Sequence, residues 1–396
     1  MIRGLGSKYQ TLLLHATLLQ LASFVVRPAA TYRALELGVD PGYVGFLIAS
    51  FAILPLFFSL FIGRASDRGQ NSQILMSGSL IMVLVGIGFL NFSNSVEQLV
   101  IWILLLGLGH VMSVIGQQTL IANGSSKDLD GAFGMYTFAG SLGQTIGPAL
   151  ILLASGQEII PDTQKLFVYY LLSAVLLLVT TFPLMRWKIQ RASGLVADQQ
   201  IKVRMLWKSI DKSNKPSLLI AMLVSLIAIG SVDVLAIYLP ALGIERGIPA
   251  ATIGLLMSIR ALTTMVSRFY LAQLSRFFGR NRLIVLSTAL AGSLIIMIAL
   301  PIPPFFMIPL VILIGFSIGI GQPLTMTIIT ISVPASTRST WLSLRLTANR
   351  VGQAVVPAGV GLTTIAVGAG GAFVTTGLLL LAVAGISRRL PTSNVD

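Results

Sequence analysis

The sequence predicts an all-α membrane protein with 12 transmembrane helices in two pseudo-symmetric six-helix bundles. Three observations predict it. The 396-residue chain is 55% hydrophobic and only 10% charged, it reads as a succession of bilayer-length apolar stretches, and its second half repeats its first. About a quarter of a soluble protein's residues are charged, so this chain cannot coat a body of its size in water. An apolar helix of about 20 residues crosses a hydrocarbon core roughly 30 Å thick, and it satisfies its own backbone polar groups on the way.

Span 1 is placed near residues 10–34; it is too long, and with Gln20 and Arg27 too polar, for a cleaved secretory signal, and no small-residue cleavage site follows it. Spans 2 and 3, near 42–63 and 73–92, flank the polar turn that begins at Arg64. Span 4, near 98–121, carries His110, Ser113 and Gln117; span 5, near 132–155, holds glycines before Pro148; span 6, near 166–186, runs into the Lys/Arg-rich segment 187–215. Span 7, near 216–239, contains Asp233, and span 8, near 250–271, contains Arg260 and Arg268. Spans 9 and 10 fall near 283–300 and 304–330, the latter with Gln322; spans 11 and 12 fall near 340–366, with Arg345 and Arg350, and near 371–387. The expected organisation is a six-helix bundle over 1–186, a cytoplasmic basic linker over 187–215 and a second bundle over 216–396.

Charge orients the chain. With the N-terminus inside, 19 of the 27 Lys and Arg residues fall on cytoplasmic segments and only Arg33, Lys165 and Arg246 on the opposite side. That asymmetry is a positive-inside signal, and it places both termini in the cytoplasm of a plasma or bacterial cytoplasmic membrane. The acidic residues divide evenly, as charges with little topogenic weight should. The formal charge of +14 is therefore explained by topology, and its scatter over membrane edges excludes a nucleic-acid-binding domain. Zero cysteines exclude disulfides, thiolate metal sites and Cys nucleophiles.

Sliding the chain over itself by 209 residues aligns Gly38-Val39 with Gly247-Ile248, Val44 to Leu47 with Ile253 to Leu256, and Gly143 to Ala149 with Gly352 to Ala358. One register holding at three places marks a duplication. Two six-span halves related by an axis along the membrane normal are a transporter architecture with the binding site at mid-bilayer.

The turn after span 2 reads Gly63-Arg-Ala-Ser-Asp67-Arg68-Gly69-Gln70-Asn71. It resembles the G-x-x-x-D-R-x-G-R-R signature of the major facilitator superfamily (MFS) at Gly63, Asp67 and Arg68, to which the resemblance assigns a cytoplasmic gate. Glycine comes one residue early, and Gln70 and Asn71 replace glycine and a basic residue. The second-half copy, Ser275 to Arg282, lacks the acid. Span 5 carries Gly143-x-x-x-Gly147-Pro148, similar to the motif associated with antiporters and drug exporters in that superfamily. Glycines four apart let a neighbouring backbone approach, and proline permits a bend. Drug exporters of the superfamily often carry an arginine shortly before a span 4 glycine; if Gly107 is that glycine, Ile103 stands in the arginine's place.

Polar residues sharing a helix face must look at protein or water. Gln20, Ser23, Arg27 and Thr31 form such a stripe on span 1, His110, Ser113 and Gln117 on span 4, and Gln322 with Thr325 a shorter one on span 10; the resemblance likewise implies that spans 1, 4, 7 and 10 line the cavity. Charge at mid-membrane is costly unless paired or hydrated, which singles out Arg27, Arg260, Arg350 and the one intramembrane carboxylate, Asp233. Arg268 and Arg345, nearer the cytoplasmic ends, are read as snorkelling. Asp233 has two candidate partners, Arg27 and Arg260, and two compatible roles, an ion pair holding the outer gate shut and a protonatable coupling site; His110 is the other proton-coupling candidate, or a packing donor.

Three arginines against one aspartate suit an oxyanion-bearing or amphipathic small molecule. Together with the span 5 motif this predicts a proton-coupled exporter working by alternating access as a monomer in the lipid bilayer. The alternative is a proton-linked uptake symporter for an organic anion. A membrane-embedded enzyme is the remote reading: no convergent nucleophile or acid–base pair is present. No Walker-type phosphate loop occurs and no selectivity filter. No cofactor and no metal are expected.

Overall fold

The computed structural model describes residues 6–124, 129–186, 207, 210, 214–333 and 338–389. Among them there is no strand, and twelve helices are long and apolar enough to cross a membrane: Ser7–Glu36, Pro41–Ser59, Asn71–Asn91, Val96–Ile121, Met135–Ser155, Thr163–Met185, Lys215–Glu245, Ala250–Phe269, Arg280–Ile298, Pro304–Ile329, Leu344–Val367 and Ala369–Ser387. The all-α, twelve-span expectation holds. The linker expected over 187–215 lies mostly outside the described residues.

Span 2 is not one regular helix. Its α-helical opening, Pro41–Ala49, passes through a tighter turn at Ser50–Ala52 before Ile53–Ala65 resumes. Pro55 lacks the N–H that would bond the Phe51 carbonyl, and its ring crowds that carbonyl. Gly107 on span 4 accommodates the displaced group, because any Cβ there would overlap the Phe51 oxygen.

Two compact units emerge. Of the described residues, those within 1–39, 50–198 and 246–258 form one, and those within 40–49, 199–245 and 259–396 form the other. In the first, span 5 lies against span 1. A Cβ on Gly143 would strike the Thr17 carbonyl, and one on Gly147 would sit 2.9 Å from Phe24 Cβ. The same unit holds the opening of span 8, where the Ala250 N–H donates to the Glu158 carbonyl at 2.9 Å and Gly254 faces the Pro148 carbonyl.

The second unit repeats the crossing with the small residue moved. Gly352 on span 11 meets the Leu226 backbone of span 7, as Gly143 meets Thr17 one repeat earlier. Val356 stands where Gly147 does, and the room it needs comes from Gly230 on span 7, the counterpart of Leu21. The volume of the contact is kept while the glycine changes helix.

Each half closes on itself by the same device. Glu36, at the end of span 1, accepts from the Thr163 hydroxyl at the start of span 6 at 3.0 Å. Its counterpart 209 positions on, Glu245 at the end of span 7, accepts the Ala369 N–H at the start of span 12 at 2.8 Å. A carboxylate is unfavourable at its own helix C-terminus and favourable at another helix's N-terminus. Asp162 adds an N-cap, accepting the Lys165 N–H at 3.0 Å, and that bond holds its carboxyl below the usual carboxylate range. The helix ends repeat as well. Gly38 and Gly247, 209 apart, both take positive φ, of 79° and 63°, where a Cβ would clash with the following carbonyl; Val39 N–H then returns to the Ala34 carbonyl at 3.0 Å, a Schellman closure.

Candidate functional site

In the first unit, the two reaching members of the span 1 stripe come together with spans 2, 4 and 5. The Arg27 guanidinium lies 5.0 Å over the Phe51 ring, a separation at which a cation gains from the ring face. Phe51 packs on His110 with ring centroids 5.5 Å apart, His110 Nε2 contacts Gln20 Nε2 at 3.4 Å, and Gln144 donates to Gln20 Oε1 at 3.3 Å. Arg27 is 5% exposed. Phe51 was not legible as a site residue, although two signals were present: it sits four before Pro55, and its counterpart at 209 is Arg260.

The rest of the stripes has other work. Ser23 and Thr31 donate to the carbonyls of Leu19 and Arg27 one turn back. Ser113 faces span 3, where a Cβ on Gly78 would lie 2.7 Å from its hydroxyl. Gln117 corrects the cavity-lining expectation: it is 0% exposed and belongs to the packing inside the bundle. Tyr136 OH donates to Gln117 Oε1 at 2.9 Å, Gln117 Nε2 meets His15 Nδ1 at 2.6 Å, and His15 Nε2 meets Thr181 Oγ1 at 3.0 Å. Thr181 continues to Ser79 at 2.7 Å. With Gln117 donating to Nδ1, the imidazole carries its proton on Nε2 and gives it to Thr181. The network joins spans 1, 3, 4, 5 and 6 through uncharged partners.

In the second unit, Asp233 and Arg260 are 2% and 5% exposed, and Arg260 lies within electrostatic reach of Asp233 and Arg268. Arg260's companions on its face serve packing: Thr264 donates to the Gly315 carbonyl at 2.8 Å, and Ser267 to that of Thr264. Gly315 matters because a Cβ there would overlap the Arg260 carbonyl. Arg350 donates to Gln353 Oε1 at 2.8 Å, one turn along span 11.

Arg345 overturns its snorkelling assignment. It is 4% exposed, and its Nη1 donates to Ser225 Oγ and to Gln322 Oε1, both at 2.9 Å. Ser225 passes its proton to Asn349 Oδ1 at 2.8 Å, and Gln322 Nε2 reaches the Ser225 carbonyl at 3.3 Å. Gln322 thus belongs to a clasp tying spans 7, 10 and 11. Thr325, its stripe partner, bonds back to the Gln322 carbonyl. Arg345 is the 209-offset counterpart of Tyr136, so one position on the fifth helix of each half reaches across to the fourth helix of that half.

The turn after span 2 is built on the residues where it departs from the signature. Gly69 takes φ of 89°, which explains the early glycine. Asn71, buried, accepts from Ser66 at 2.8 Å and donates to the Gly116 carbonyl of span 4 at 3.2 Å. Gly63 faces open space; the side chains of Asp67 and Arg68 lie outside the described ones. No group of three or more metal-ligating side chains occurs among the described residues.

Among the described residues, the twelve spans bury several guanidinium groups and one carboxylate, Asp233. The chain belongs to the major facilitator superfamily, whose sequence profile matches residues 12–357 and 218–393. It is a transporter rather than an enzyme. No curated protein matches it by sequence. Among solved structures, a D-xylose-proton symporter is similar at 15% identity and TM-score 0.77, covering 97% of this chain and 98% of that one. The nucleoside transporter NupG is similar at 13% identity and TM-score 0.75, over 97% and 99%. A bacterial homolog of the human lysosomal transporter Spinster, inward-facing and unoccupied, is similar at 13% and 0.73, over 97% of each chain. At these identities the likeness establishes the fold.

Proposed function

We propose that the protein is a proton-coupled exporter of small organic molecules bearing an oxyanion, working by alternating access as a monomer in the cytoplasmic membrane with both termini inside. The observation that carries the anionic cargo is the interior charge: Arg27 in the first unit and Arg260 and Arg345 in the second are each at most 5% exposed, and Asp233 is 2% exposed. Guanidinium groups held out of bulk water favour carboxylates and phosphates, which they bind bidentately. The Gly143, Gly147 and Pro148 motif of span 5 supports export. Asp233, in electrostatic reach of Arg260, is the proton-coupling candidate: protonating it frees that arginine for cargo, and cargo release returns the arginine to the carboxylate. His110, between Phe51 and Gln20, is the second candidate. Asp67 and Arg68 are assigned to the cytoplasmic gate.

Uptake of an organic anion by proton symport uses the same charges in the opposite direction. Inside-out vesicles with an imposed pH gradient test the direction. Accumulation of labelled organic anions there, dependent on the gradient, supports export; accumulation only in right-side-out vesicles overturns it.

A further inference from the structure

The Arg345 clasp carries more charge than a clasp needs. In the first half the corresponding position is Tyr136, and a neutral hydroxyl suffices to engage the fourth helix. In the second half a full cation is buried to do the same task, at a desolvation cost that neutral hydrogen-bond partners only partly offset. Both hydrogen bonds that Arg345 makes among the described residues come from one nitrogen, Nη1. Its Nε is buried and has no partner. Nε–H and the adjacent Nη2–H point the same way and form the side-on edge with which guanidinium accepts two oxygens of a carboxylate or phosphate. The other corner is pinned twice, so the plane of the group is fixed before any ligand arrives.

We infer that this edge of Arg345 is the oxyanion-binding group of the second half, taking a carboxylate or phosphate ester of the cargo in a bidentate pair. Ser225 and Gln322 are positioning residues: they accept from Nη1 and hold the guanidinium flat across spans 7, 10 and 11. Asn349 accepts the Ser225 proton, which turns the hydroxyl oxygen's lone pair toward the arginine. Lysine could supply charge here but could not present two parallel donors. The inference rests on the reading of the protein as a transporter of organic anions, and narrows it to one side chain.

The test uses the purified full chain in lipid nanodiscs, with thermal stabilisation measured for three charged probes, benzoate, succinate and glucose 6-phosphate, each beside its uncharged partner, benzamide, succinamide or glucose. The expected result is stabilisation of the wild type by at least one anion and not by its neutral partner. In Arg345→Met that stabilisation is lost. In Arg345→Lys it needs about tenfold to a hundredfold more probe, as losing one charge-assisted hydrogen bond implies. Carboxylates and the phosphate ester compared in the wild type tell which oxyanion the edge prefers. Equal stabilisation of the wild type and Arg345→Met by an anion would overturn the assignment to Arg345 while leaving the anionic cargo standing. No stabilisation of the wild type by any anion would overturn both. If Arg345→Met does not fold, Arg345→Lys decides, since unchanged affinity there excludes a bidentate edge.

Discussion

Placing one methyl on Gly230 tests whether the two halves conserve contact volume at the crossing of their first and fifth helices. A Cβ at Gly230 would sit 2.6 Å from Val356 Cβ, 2.7 Å from its Cγ2 and 2.9 Å from the Gly352 carbonyl oxygen. Carbon pairs are at ease near 3.5–4.0 Å, so spans 7 and 11 must part by on the order of 1 Å. Overpacking costs about 1–3 kcal/mol, and the better helix propensity of alanine returns about 1 kcal/mol. Gly230→Ala should therefore destabilise by about 0–2 kcal/mol. Val356→Gly leaves a void of three carbons and a weaker helix, a loss of about 1–3 kcal/mol. The double variant moves the small residue back to span 11, as in the first half, and should be more stable than the sum of its parts by about 1–2 kcal/mol. Thermal unfolding midpoints of the four proteins in detergent measure this cycle. Additive shifts would refute the complementary-volume account.

Asp233→Asn should abolish proton-driven accumulation in vesicles while preserving counterflow exchange; equal loss of both would assign Asp233 a structural role. Arg260→Ala should reduce transport of anionic cargo more than that of a neutral analogue, compared in the same vesicle preparation. Glu245→Ala removes the cap on the Ala369 N–H and should lower stability by about 1–2 kcal/mol, read as a reduced unfolding midpoint, with Glu245→Gln losing less.

Much of this fold was legible because lipid permits few structures. Apolar length alone located all twelve spans, and the 209-residue register located the duplication. The same register, pushed further than three patches, pairs Glu36 with Glu245, Phe51 with Arg260 and Tyr136 with Arg345. Those pairs are chemically unlike apart from the first, so similarity could not find them.

The site was only half legible. Helix periodicity names a face but not a depth: Gln117 shares a face with His110 yet lies about two turns further along span 4, where it meets Tyr136 and His15. Serine and threonine also satisfy themselves on their own backbone, as Ser23 and Thr31 do, which periodicity cannot distinguish from a cavity contact. Depth along the helix misled for Arg345: a position near a span end suggests snorkelling, and whether the side chain turns outward or inward depends on partners such as Ser225 and Gln322 on other spans. The signature turn misled in the opposite sense, since Asn71, a departure from the expected basic residue, proves to be its anchor.

The glutamates that end spans 1 and 7 bear on how the protein is made. Glu36 waits for a partner 127 residues downstream, and Glu245 for one 124 residues downstream. At roughly 5–20 residues per second, each carboxylate is synthesised about 6–25 s before the residue that donates to it. The last helix inserted in each half is the one that latches it. The first half can complete this latch before Glu245 of the second is synthesised, so biosynthesis itself separates the two closures in time.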